Sequence, residues 1–202
     1  RTTLQSSFSN QGQICLCGSR ILIERSIYTR FRDALVERAK GLKVGDPLDE
    51  ETRVGAISSK MHLEKIMYYI RLAEEEGGRV LFGGKQVQLQ GRCEHGYFLE
   101  PTIIEGLPAS CRTNQEEIFG PVVTLMPFDT EEEAVAIANS TPYGLSATIW
   151  TQHLTRAHRV AHAVQSGIIW VNCWLFRDLR TPFGGMKQSG VGREGGFDAL
   201  NF

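Results

Sequence analysis

The order of apolar and polar positions predicts alternating helices and strands along the chain. Apolar residues recur at the three- and four-residue spacing of a helix face in three stretches: 27–42, 58–76 and 153–165. Short apolar runs, which are typical of buried strands, lie at six places: 20–24, 80–82, 102–104, 122–128, 145–151 and 167–172. This alternation predicts an α/β layer fold.

Local signals place two helix ends and one long loop. Gly77-Gly78 follows the second helical stretch, as glycines commonly do at helix C-termini. Thr130 precedes three glutamates, and the Thr130–Glu133 spacing predicts a capped helix start. Residues 177–196 are rich in glycine and polar side chains, so we predict a loop there. No repeat or linker interrupts the pattern, which predicts one domain over residues 1–202.

Composition and charge exclude several classes of protein. The chain has 202 residues, with 22 Lys and Arg against 23 Asp and Glu, a net charge of −1. This balance gives no electrostatic reason to expect nucleic acid or a membrane surface as partner. The 42% hydrophobic content is typical of a globular core, and no apolar run is long enough to span a membrane.

Cysteine usage and the first residues suggest where the protein works. Five cysteines are an odd number in a chain large enough to fold without disulfides, so we expect a reduced, cytoplasmic setting. The chain begins at Arg1 with no basic-then-apolar leader, and we expect that it starts inside a longer chain.

Cys15 is the first candidate for chemistry. It precedes a predicted strand in a glycine-containing turn, where a thiol can be presented to a substrate. A small buried core cysteine is the alternative, and a Cys/His hydrolase stays open because nothing selects one of the histidines. A metal site is not expected. Cys15-x-Cys17 has no second ligand pair, and His158 and His162 are typical of a solvated helix face.

Two further stretches combine charge with apolar residues. Residues 116–121 contain two carboxylates and an aromatic ring, which suit the ribose and nicotinamide of a cofactor, or else a plain surface turn. Arg177, Asp178 and Arg180 follow a predicted strand. The guanidinium of an arginine can bind a ligand carboxylate through two parallel hydrogen bonds. For at least one of Arg177 and Arg180, an internal ion pair with Asp178 is the alternative.

Several motifs occur together in a fixed order. They are Gly12-Gln13-Ile14-Cys15 followed by Arg20, Glu116-Glu117-Ile118-Phe119-Gly120-Pro121-Val122, and Pro182-Phe183-Gly184-Gly185 with Lys187, Ser189-Gly190 and Gly192-Arg193-Glu194. With them the sequence resembles the aldehyde dehydrogenase superfamily over nearly its whole length. The resemblance implies that residues 1–202 form the catalytic domain, an α/β fold of three layers in which helices flank an open, mostly parallel sheet.

The resemblance also implies roles for single residues. Cys15 matches the nucleophile, and its backbone N–H matches part of the oxyanion hole. Glu117 matches a ligand of the nicotinamide ribose, Phe119 a residue beside the nicotinamide, and Phe183 an aromatic lining of the aldehyde pocket. The implied cofactor is NAD, with NADP left open. Cys17 matches no role and is interpreted as packing.

The same resemblance places other parts of the enzyme outside these residues. The general-base glutamate, the oxyanion asparagine and the nucleotide-binding domain are expected upstream, and an oligomerisation strand downstream. We therefore expect this piece alone to be inactive with aldehyde and NAD, and the longer enzyme to be a homodimer or homotetramer.

Residues 172–182 resemble the branch that oxidises 2-hydroxymuconic or 2-aminomuconic 6-semialdehydes, enzymes of aromatic-compound and tryptophan–kynurenine catabolism. We predict that Arg177 binds the distal carboxylate of such a substrate, with Arg180 as a weaker candidate and Asp178 holding either guanidinium. A general or betaine-type aldehyde dehydrogenase is the alternative within the superfamily. An inactive binding module is the alternative outside it.

Overall fold

The computed structural model describes residues 1–201, which divide into two compact units. The first contains Thr3–Phe128 and the second begins at Asp129. Six α-helices are present in the described part: α1 Thr2–Phe8, α2 Tyr28–Lys40, α3 Lys60–Glu75, α4 Arg112–Gln115, α5 Glu131–Asn139 and α6 Leu154–Ala163. The prediction of one domain over residues 1–202 stays a prediction.

Ten strands accompany these helices within residues 1–201. They are β1 Arg20–Glu24, β2 Arg79–Phe82, β3 Gln86–Val87, β4 Phe98–Leu99, β5 Thr102–Glu105, β6 Val122–Phe128, β7 Tyr143–Gly144, β8 Ser146–Ile149, β9 Ile168–Val171 and β10 Met186–Lys187. All six predicted strands are present as β1, β2, β5, β6, β8 and β9. The three predicted helical stretches correspond to α2, α3 and α6.

The first unit is built around a four-stranded sheet in the order β1-β6-β5-β2. The β1–β6 and β6–β5 pairs are parallel, and β2 joins the edge antiparallel to β5. Ile103 belongs to an apolar cluster with residues of α1 and α2, while its neighbour Ile104 belongs to a cluster with residues of α3. Successive strand residues point to opposite faces, so helices cover both faces of the sheet. The three-layer, mostly parallel α/β class is confirmed.

The second unit pairs β8 parallel to β9 and β7 antiparallel to β10. Glu131 at the start of α5 accepts hydrogen bonds from Arg159 of α6 at 2.6 and 2.8 Å, which ties the two helices together. The predicted cap of α5 is present, because Thr130 Oγ1 accepts from the N–H of Glu133 at 3.1 Å. His158 and His162 of α6 are exposed.

Several elements of the described residues were not predicted: α1, α4 and the two-residue strands β3, β4, β7 and β10. The sequence of α1, TTLQSSF, contains only two large apolar residues and no strong helix pattern. The helix forms because Phe8 is fully buried against Ile23 and Leu35, so tertiary packing outweighs weak local propensity. The predicted loop 177–196 contains the short strand β10 and an isolated antiparallel bridge between Phe183 and Glu194.

Among residues 1–201, no helix combines the length and the apolar character needed to cross a bilayer.

Candidate active site

Cys15 lies in a short loop between the end of α1 and the start of β1. Asn10, Gln11 and Gly12 have φ angles of 49°, 57° and 69°, so three successive residues adopt the left-handed conformation. Left-handed backbone is costly for residues other than glycine and is often found at functional sites. The turn redirects the chain and leaves Cys15 exposed.

The loop is fixed by a close backbone contact with the Glu116–Pro121 motif. A Cβ atom on Gly12 would overlap the carbonyl oxygen of Gly120, so only glycine permits this approach. A second contact comes from Gln13, whose Oε1 accepts from the N–H of Ser58 at 3.0 Å. Two motifs more than a hundred residues apart in sequence are thus adjacent in the first unit.

The two nearby cysteines have different environments. Cys17 is half-buried, and burial raises the pKa of its thiol to about 11. A thiol of this pKa is almost entirely protonated near neutral pH and is a poor nucleophile. Cys15 is exposed, so it is the thiol of the pair that can meet a substrate.

The neighbouring carboxylates Glu116 and Glu117 are also distinct. Glu116 accepts hydrogen bonds from Arg112 at 2.6 and 3.0 Å and from the Tyr69 hydroxyl at 2.6 Å. The Arg112 guanidinium, followed by Tyr69, lowers the pKa of Glu116 from 4.5 to about 2. Glu117 is exposed, and no residue of the described chain 1–201 hydrogen-bonds or ion-pairs with its side chain. Glu117 is therefore the carboxylate available to a ligand.

Phe119 has a φ of 61°, an unusual value for a bulky residue. His62 Nε2 lies 2.7 Å from the Phe119 carbonyl oxygen, and the two rings are 6.2 Å apart at 59°. The tautomer with a proton on Nε2 donates to this carbonyl. His62 itself is placed by the start of α3, where Ser59 Oγ accepts from the His62 N–H at 3.1 Å.

In the second unit, Arg177 is held by two neighbours. Its Nη2 donates to Glu194 Oε1 at 2.9 Å, and its guanidinium carbon lies 4.2 Å from the centre of the Phe183 ring. Phe183 and Glu194 exchange two backbone hydrogen bonds of 2.8 Å each. This pairing fixes the carboxylate and the ring relative to each other.

Arg180 is in a different situation. Asp178 accepts from Arg180 Nε at 2.9 Å and pairs with its Nη2, so Asp178 holds Arg180 rather than Arg177. The side chain of Arg180 is 89% exposed, compared with 28% for Arg177. The alternative of an internal ion pair with Asp178 therefore applies to Arg180.

Comparison with known proteins agrees with the motifs. The sequence profile described as "Aldehyde dehydrogenase family" matches residues 1–202. The chain belongs to this family. It is 50% identical to the 2-aminomuconic semialdehyde dehydrogenase of Mus musculus over 99% of this chain and 42% of the mouse protein. It is 46% identical to the 2-hydroxymuconic semialdehyde dehydrogenase of Pseudomonas putida over 99% of this chain and 41% of that protein.

Solved structures of the family have the same fold. Betaine aldehyde dehydrogenase from Staphylococcus aureus, in complex with NAD+, superposes with a TM-score of 0.94 at 39% identity. The match covers 99% of this chain and 40% of that chain. The chain thus spans about two fifths of the length of these aldehyde dehydrogenases.

The sequence did not predict which residues contact and position the candidate site residues. His62 and Tyr69 belong to no motif, and Gln13 was quoted within Gly12-Gln13-Ile14-Cys15 without a role. The partners of His62, Gln13 and Tyr69 lie 57, 45 and 47 positions away. Only the fold brings such pairs together. Glu194 was quoted as part of Gly192-Arg193-Glu194 but had no role, and its pairing with Arg177 gives it one.

The first unit suits a nicotinamide cofactor on its own geometry. Glu117 offers a carboxylate without a partner in residues 1–201, and such a group can accept both hydroxyls of a ribose. Two residues on, the half-buried Phe119 ring is fixed through its backbone by His62. A carboxylate for the ribose hydroxyls and an aromatic ring beside it are chemically suited to a nicotinamide cofactor.

Proposed function

We propose that this chain carries the reacting thiol, part of the cofactor site and part of the substrate site of an NAD-dependent aldehyde dehydrogenase. We infer that its substrate is a carboxylate-bearing muconic semialdehyde. The observation that carries the proposal is the Cys15 loop, which exposes one thiol while its backbone packs on the motif containing Glu117 and Phe119. A thiol and a cofactor-type motif held together serve covalent oxidation better than hydrolysis, which needs no nicotinamide.

The chemistry follows from the exposed thiol. The Cys15 thiolate attacks the aldehyde carbon, and the carbonyl oxygen becomes an alkoxide that accepts from the Cys15 backbone N–H. NAD, when bound, supplies the acceptor for the hydride that leaves this carbon. The thioester that remains on Cys15 is cleaved by water, which yields the carboxylic acid and restores the thiol.

Glu117 and Phe119 position the cofactor in this proposal. With the cofactor bound, the free carboxylate of Glu117 would accept from the ribose hydroxyls, and the Phe119 ring would pack near the nicotinamide. Glu116 has no direct part, because Arg112 and Tyr69 already occupy both of its oxygens.

Arg177 selects the substrate. Glu194 takes one N–H of its guanidinium, and the Nε and Nη1 groups have no other partner within residues 1–201, so donors remain for a carboxylate. A betaine-type substrate carries a fixed positive charge, which Arg177 would repel. Relatives named for 2-aminomuconic and 2-hydroxymuconic semialdehydes support the substrate class. The two substrates share the distal carboxylate.

The test uses the complete product of the gene. We expect Arg177→Ala to lower kcat/KM for a muconic semialdehyde about tenfold or more, because a charge-assisted contact is lost. An uncharged aldehyde of similar length should be oxidised as before. NADH formation is measured for both substrates, and Cys15→Ala should abolish it for both.

Arg180→Ala is the matched control, since it removes a guanidinium from the same loop that is already paired with Asp178. It should leave both aldehydes unaffected. Equal activity of native protein and Arg177→Ala on the semialdehyde would reject the substrate class. Turnover that survives Cys15→Ala would reject the mechanism.

We also propose that the complete enzyme is a cytoplasmic homodimer or homotetramer. The support is the family resemblance and five free cysteines among the described residues. Light scattering of the purified gene product measures its mass in solution.

A further inference from the structure

Phe183, Arg177 and Glu194 form one cluster of contacting side chains, which the backbone places together. Phe183 and Glu194 are opposite residues of an antiparallel bridge, with both N–H···O bonds made at 2.8 Å. Opposite residues of such a pair project their side chains to the same side. The ring and the carboxylate are therefore presented together, eleven positions apart in sequence.

Gly184 permits this pairing. A Cβ atom on Gly184 would overlap the carbonyl oxygen of Gly192 and the Arg193 side chain, so the two segments approach more closely than other residues allow. The close approach at Gly184 thus allows Phe183 to lie opposite Glu194.

The ring and the carboxylate constrain the guanidinium in two directions. The Phe183 ring, 4.2 Å from the guanidinium carbon, covers one of its faces. Glu194 Oε1 accepts from Nη2 at 2.9 Å and fixes rotation about the long side chain. The contacts with Glu194 and the Phe183 ring restrict the rotamers of Arg177, so less conformational freedom is lost when its guanidinium binds a carboxylate.

We propose that Glu194 is a specificity-determining positioning residue. It holds the Arg177 guanidinium against the Phe183 ring so that the free N–H donors of Arg177 face a substrate carboxylate. This inference rests on the proposed function, in which Arg177 binds that carboxylate. Glu194 acts through Arg177, so its removal should affect binding of carboxylate-bearing aldehydes and no others.

The experiment is a double-mutant cycle on the complete gene product. We expect Glu194→Ala to raise KM for a muconic semialdehyde roughly three- to tenfold, with kcat within about twofold. KM and kcat for an uncharged aldehyde should stay unchanged. In the Arg177→Ala background the same substitution should have no further effect, because the group it positions is gone.

Two further variants keep the test specific. Glu194→Gln retains an oxygen that accepts from Arg177 Nη2, so it should restore most of the native KM. Glu131→Ala removes the carboxylate that pairs with Arg159, another arginine–glutamate pair of the same unit, and should leave both aldehydes unaffected.

The outcomes separate the two proposals. If Arg177→Ala impairs only the semialdehyde while Glu194→Ala changes nothing, the positioning role is wrong and the proposed function stands. If Glu194→Ala lowers kcat equally for both aldehydes, or has the same effect without Arg177, Glu194 acts otherwise than through Arg177. If Arg177→Ala itself has no selective effect, the substrate class fails and the role of Glu194 fails with it.

Discussion

At the scale of single residues, backbone conformation separates side chains that look alike in sequence. Cys15 and Cys17 are two positions apart, yet the left-handed turn at 10–12 exposes the first while the second is half-buried. Glu116 and Glu117 are adjacent, and only Glu116 is within reach of Arg112 and Tyr69. Composition and spacing predicted candidates of the right type. They did not indicate which carboxylate was free, because that depends on a tyrosine 47 positions away.

Gly12 is the residue on which the Cys15 loop most depends. We expect Gly12→Ala to destabilise the protein by more than about 1 kcal/mol, because alanine at a φ of 69° is strained and its Cβ would overlap the Gly120 backbone. The displaced loop should also slow the alkylation of Cys15 by iodoacetamide and lower the rate of aldehyde turnover. Thermal unfolding measures the stability, mass spectrometry of the labelled peptide measures the alkylation, and NADH formation measures the turnover.

Gly18→Ala provides the control for this substitution. Gly18 lies three residues after Cys15 at an ordinary φ, and its Cβ would make only a normal contact of 3.5 Å with Ser6 Oγ. This variant should retain native stability. Native stability and turnover in Gly12→Ala would mean that the close contact with Gly120 is dispensable.

At the scale of elements, the sequence predicted what local signals determine. Helix α5 begins where Thr130 and Glu133 indicated, and α3 ends at the predicted glycines, where the N–H of Gly78 donates to the Ala73 carbonyl. The helix α1 and the Phe183–Glu194 bridge were not predicted. Buried packing of Phe8 creates the first, and close approach of two glycine-rich segments creates the second, so neither has a local signature.

The Arg112–Glu116–Tyr69 network links α4 to α3 and gives a pH-dependent prediction. The folded-state pKa of Glu116, about 2, lies below its usual value of 4.5. Its contribution to stability is therefore complete above about pH 4.5 and is lost as the pH falls toward 2. We expect the unfolding temperature of the native protein to fall over this window more steeply than that of Glu116→Gln.

Glu117→Gln is the matched control, because Glu117 is exposed and has no partner in residues 1–201. Its unfolding temperature should follow the native curve between pH 5 and pH 2. A Glu116→Gln curve parallel to the native one would show that this carboxylate has the same pKa in the folded and unfolded protein.

At the scale of the whole molecule, net charge and local charge predict different behaviour. With 22 basic and 23 acidic residues, this chain has almost no net charge to attract an anionic substrate over long distances. The proposed selection of a carboxylate therefore depends on one guanidinium, which Glu194 partly neutralises at 2.9 Å. Such a contact acts at short range and is weakened by salt.

We expect KM for the muconic semialdehyde to rise about two- to fivefold between 50 mM and 500 mM KCl, the range for a partly exposed ion pair of up to about 1 kcal/mol. An uncharged aldehyde should show no such dependence, and Arg177→Ala should remove it for the semialdehyde. Steady-state kinetics at both salt concentrations measure the effect. Equal salt dependence for both aldehydes would place the effect on the protein or on cofactor binding, and the carboxylate contact at Arg177 would lose its support.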